Sequence, residues 1–107
     1  KVIFDAALVA ARPVGNYSVK EIYAYETLSE TEWAHPYASE IFYPTVFESL
    51  DITDFELKIK AMMCYDSQLR DFPASRSIES LEALAKFCGC TIQVNRAESF
   101  MLIRKIN

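Results

Sequence analysis

Apolar and polar positions along this chain repeat with two different periods, and each change of period marks an element. Val2, Ile3, Ala6, Leu8, Val9 and Ala10, with further alanines between them, predict a well-buried helix over residues 2–11. Arg12-Pro13 ends it. Past a turn at Gly15-Asn16, the stretch from Val19 to Thr27 is short and rich in β-formers, and predicts a buried or half-buried strand. From Leu28 to Pro44 the pattern dissolves into Ser, Thr, Glu, Pro and aromatics without period. A loop of that length inside a compact domain is uncommon and is often functional.

The second half is more regular. Thr45, Val46 and Phe47 start a second strand leading to Leu50 and Ile52. Thr53-Asp54-Phe55-Glu56 has the form of a capping box, with Thr53 as cap, and opens a helix running to about Arg70. Phe55, Ile59, Met62, Met63 and Leu69 lie along one of its sides, the methionines as core filler, and Phe72-Pro73 closes it. A third helix starts near Ser77 with Ile78, Leu81, Leu84, Ala85 and Cys88 on one face, and Gly89 stands where a left-handed terminator belongs. The tail from Glu98 to Ile106 reads as a strand apolar on both faces, as in a sheet covered on both sides.

Composition narrows the class. The 107 residues, 51% of them hydrophobic, fit one soluble domain and leave no room for a second. The longest apolar run, Ala6 to Ala11, is far short of the ~20 residues of a membrane helix. A net charge of −4 without a basic run argues against nucleic-acid binding, which rests on Lys and Arg neutralising phosphates. With only Gly15 and Gly89, no Gly-rich phosphate cradle can form. Three cysteines, Cys64, Cys88 and Cys90, are too few for a disulfide framework and suit a reducing cytoplasm.

Candidate chemistry is sparse. His35 is the only histidine, and nothing in the sequence pairs it with a Ser or Cys nucleophile; Cys88-Gly-Cys90 lacks the second pair a zinc site needs. Aromatics and acids concentrate in residues 1–50, which hold nine of the fourteen aromatic residues and all the excess negative charge. Ring faces with carboxylates suit sugar binding; the alternative is that these rings plug a core against the loop.

Several segments resemble the C-terminal part of the LmbE/PIG-L-like zinc-dependent N-acetyl-sugar deacetylases. They are Phe4-Asp5-Ala6-Ala7-Leu8-Val9-Ala10-Ala11-Arg12-Pro13, then Asp51-Ile52-Thr53-Asp54-Phe55 with Lys58, Ala61 and Ser67-Gln68. The helix from Ser77 to Gly89 and Arg96-Ala97-Glu98-Ser99-Phe100, similar to the family's Ala-Glu-x-Phe, complete the set. The resemblance implies a Rossmann-like three-layer α/β fold, of which residues 1–107 would be the C-terminal part, with helices packed on a partial, mostly parallel sheet. It also implies zinc, held by a His-Pro-Asp-Asp and a His-x-Asp-His motif, which activates water to remove the acetyl group from an N-acetylated amino sugar.

Neither metal motif is present here, since His35-Pro36 is followed by Tyr37-Ala38. The expectation is therefore a segment with no catalytic residue or metal ligand of its own and no zinc by itself. Its opening at Lys1 reads as a cut end, with an N-terminal half or self-association completing the sheet. The alternative is a non-catalytic oligomerisation or ligand-binding module derived from such a domain. Carried over as substrate-binding candidates are Glu98, Trp33, His35 and Tyr37, with Ser67 and Gln68 as supports of neighbouring backbone.

Overall fold

The computed structural model describes residues 2–37 and 41–107. The expected cut end at Lys1 and residues 38–40 of the long loop lie outside the described residues. The elements in chain order are α1 (Val2–Ala10), β1 (Glu21–Tyr25), a 3-10 turn at Thr31–Trp33, β2 (Val46–Ser49), α2 (Ile52–Met63), α3 (Ile78–Thr91) and β3 (Ala97–Lys105).

The sheet corrects the expected Rossmann-like architecture. It has three strands in the order β1-β3-β2, and the last strand pairs antiparallel with both neighbours. A single crossover helix between two strands makes them parallel. Here two helices separate β2 from β3, so the chain comes back to the end of the sheet it left and runs down antiparallel. The register places Glu98 opposite Glu48 and Phe100 opposite both Val46 and Tyr25, with an irregularity between Ile22 and Tyr23.

The core is small and lies where α3 covers the first half of β3. Phe55, Leu81, Ala85, Cys88 and Ala97 are its buried hydrophobic residues. The expected two-sided burial of the tail is not found: Ala97 and Ser99 are buried, whereas Leu102 is 41% exposed. Nor is α1 a buried helix. None of its residues is buried, and Val2 and Ile3 are more than four-fifths exposed. Its length and alanine content satisfy the backbone, while its apolar side chains other than Leu8 are exposed.

Helix ends also differ from expectation. The N-cap of α2 is Asp51, whose carboxylate accepts the Asp54 amide at 2.8 Å, so Thr53 lies inside the first turn. The helix stops at Met63, and residues 64–69 continue as turns. α3 starts beside Ser77 as expected, and Ser77 is its cap, accepting the Ser80 amide at 3.1 Å while itself buried. Gly89 is not the terminator. The helix runs on to Thr91, and Gln93, with φ 62°, takes the left-handed position. The Val94 amide donates to the Gly89 carbonyl and the Gln93 amide to the Cys90 carbonyl, the paired closure of a Schellman motif.

Candidate functional site

A cavity of about 470 Å³ opens between α3, α2 and the first half of β3, bordered by the chain that leaves β1. Its apolar wall follows from the α3 periodicity: Leu81, Leu84 and Ala85 repeat at helical spacing, and Met62 of α2 and Leu28 face them across the space. Tyr25, Tyr65 and Phe100 also border it.

Polar groups are set into this wall at three places. At the buried end, Ser99 of β3 sits beneath Cys88 of α3, both buried. The Cys88 thiol donates to Ser99 Oγ at 3.5 Å, and the Ser99 hydroxyl donates to Glu26 Oε1 at 3.2 Å. Towards β2, Lys58 Nζ donates to Glu98 Oε1 at 2.5 Å. That contact neutralises a carboxylate which the register sets opposite Glu48, a pairing otherwise repulsive. At the mouth, Arg76 gives Nη1 to the side chain of Gln68 at 2.5 Å and Nη2 to Glu30 at 3.0 Å.

Arg76 thereby joins the start of the long loop to the turns after α2. The loop is also shaped locally there. Ser29, at φ 74°, donates its amide to the Glu32 carboxylate at 2.7 Å, and the Thr27 amide donates to Thr31 Oγ1 at 2.7 Å. Burial pushes the Glu32 carboxyl up, but hydrogen bonds from backbone and Ser75 and the charge of Arg76 hold it below the usual carboxylate range.

The sequence candidates separate into two groups. Glu98 and Gln68 line the cavity. Ser67 does not; its carbonyl accepts Arg70 Nη1 at 2.7 Å, a contact within the turn. Trp33, His35 and Tyr37 stand on the exposed loop away from the cavity lining, Trp33 80% exposed, with the His35 and Tyr37 rings stacked at 5.8 Å. Glu26, Ser99, Cys88, Lys58 and Arg76 were not among the site candidates the sequence offered. One signal was available: Ser99 is a small polar residue in the middle of an apolar strand, where a hydroxyl needs a partner.

The zinc implied by the resemblance does not fit these residues. Among the described residues no three His, Cys, Asp or Glu side chains come together to hold a metal ion. The cavity lining brings one thiol and two carboxylates together with a lysine and an arginine, groups that can hydrogen-bond a ligand.

Comparison with protein families, curated proteins and solved structures finds no match. No helix of the described residues is long and apolar enough to cross a membrane.

Proposed function

We propose that this chain is a non-catalytic ligand-binding module whose cavity takes an amino sugar. The observation that carries the reading is the cavity itself. Its volume of about 470 Å³ lies within the roughly 300–1,000 Å³ of small-molecule sites, and its apolar lining holds a few convergent polar groups, as such sites do. Glu26 and Glu98 offer acceptors for sugar hydroxyls, and the Leu81, Leu84 and Ala85 wall offers apolar surface for C–H faces.

The resemblance to N-acetyl-sugar deacetylases supports the sugar class, and Glu98 of its Ala-Glu-x-Phe segment is part of the lining. The antiparallel sheet gives that resemblance no support, so it rests on the quoted segments alone. Zinc-dependent deacetylation is a proposal only for an assembly that supplies the two metal motifs this sequence lacks. Three free thiols, Cys64, Cys88 and Cys90, support a reducing, cytoplasmic setting.

Filling the cavity tests the reading. Met62 is half-buried in the wall, so Met62→Trp narrows the space without placing bulk at a fully buried position. Calorimetric titration with glucosamine and N-acetylglucosamine is expected to show binding by the unaltered chain and its loss in Met62→Trp. Binding that survives Met62→Trp and disappears in Trp33→Ala would move the site to the exposed loop.

A further inference from the structure

We infer that the ligand of this cavity carries a protonated amine, and that Glu26 is the group that recognises it. The inference rests on the cavity being a binding site, as proposed above, and it adds the charge of the ligand.

The cations of the lining are already committed. Lys58 faces Glu98 at 2.5 Å, and Arg76 faces Glu30 at 3.0 Å while also serving Gln68 and, at 3.5 Å, the Leu28 carbonyl. An anionic ligand would have to displace a carboxylate from one of them. Glu26 is in the opposite position. Its Oε1 receives the Ser99 hydroxyl at 3.2 Å and has the Cys88 thiol at 4.0 Å, both neutral donors, and among the described residues no cation pairs with it. It is half-buried, and a carboxylate drawn partly out of water without a counter-charge is costly.

An ammonium entering the cavity removes that cost and makes a charge-assisted hydrogen bond. The Leu81, Leu84 and Ala85 wall takes the carbon skeleton. Seated on Ser99 and Cys88, Glu26 is held at the buried end, so the amine enters first and the skeleton follows.

A matched pair of probes reads the charge directly: glucosamine, cationic in mildly acidic buffer, and N-acetylglucosamine, neutral at every pH. Calorimetry on the 107-residue chain is expected to show glucosamine bound about tenfold or more tighter. Glu26→Gln, which keeps size and an acceptor, is expected to bring the two to within about twofold, whereas Glu56→Gln, at an exposed position outside the lining, leaves the preference in place. On the unaltered chain the preference is also expected to vanish once the pH is raised enough to neutralise the sugar amine.

N-acetylglucosamine bound equally or more tightly would overturn the inference and leave the cavity reading standing. A preference that persists in Glu26→Gln, or with the neutral amine, would remove Glu26 or the charge from the account. Binding of neither sugar would overturn inference and reading together.

Discussion

Gly89 owes its identity to a close approach. A β-carbon there would lie 2.6 Å from the Val94 carbonyl oxygen and 2.9 Å from the Arg96 α-carbon, both backbone atoms of the segment returning to β3. Gly89→Ala is accordingly expected to cost about 1–3 kcal/mol, the range of overpacked cores, in chemical denaturation. Gln93 poses the converse case. It holds the left-handed position at φ 62°, which glycine adopts at lower cost, so Gln93→Gly is expected to stabilise by about 1 kcal/mol. Loss of stability in Gln93→Gly would show that its side chain contributes more than its backbone strain removes. The sequence marked the end of α3 to within one turn and assigned it to the wrong residue. Glycine serves both as a terminator and as a point of backbone contact, and only the fold separates the two uses.

At the scale of elements, the hydrophobic period located both later helices and all three strands, because period depends on local geometry. It did not fix how the strands pair. Antiparallel pairing follows from the number of helices between β2 and β3, and the reading inferred from resemblance assumed a crossover instead. The attachment of α3 to the approach to β3 was equally invisible. Arg96 donates Nε and Nη2 to Glu82 Oε1 at 3.1 and 2.6 Å, and its guanidinium stacks 5.0 Å from the centre of the Phe55 ring, so one side chain ties α3 to α2.

The hydrogen bond from Arg96 holds the Glu82 carboxyl below the usual carboxylate range, with smaller help from Lys86. A carboxyl so lowered contributes stability above its unfolded value of about 4.3 and loses it as the pH falls through the folded value beneath. Thermal unfolding of the unaltered chain and Glu82→Gln is therefore expected to differ at neutral pH, by about 1 kcal/mol or less, and to converge as pH drops below that window. A difference independent of pH would assign the effect to packing.

The whole molecule is less compact than its length allows. Its radius of gyration is 15.7 Å, against about 13 Å for a compact chain of this size, and it extends 46 × 28 × 28 Å. α1, none of whose residues is buried, contributes to the excess. Composition alone read the 107 residues as one soluble domain, because it counts apolar residues without showing which find a partner. The cavity suffered the opposite fate. Glu98 and Gln68 were legible through resemblance, but Glu26, Ser99 and Cys88 come from three separate elements, and only their meeting gives them a role.

The central claim is that ligand and protein meet in this cavity, and nuclear Overhauser contacts from a bound sugar test it most directly. Glucosamine ring protons are expected to show contacts to the methyl groups of Leu81, Leu84 and Met62, which line the space. Contacts confined to the rings of Trp33 and Tyr37 would contradict the account and return the site to the exposed loop.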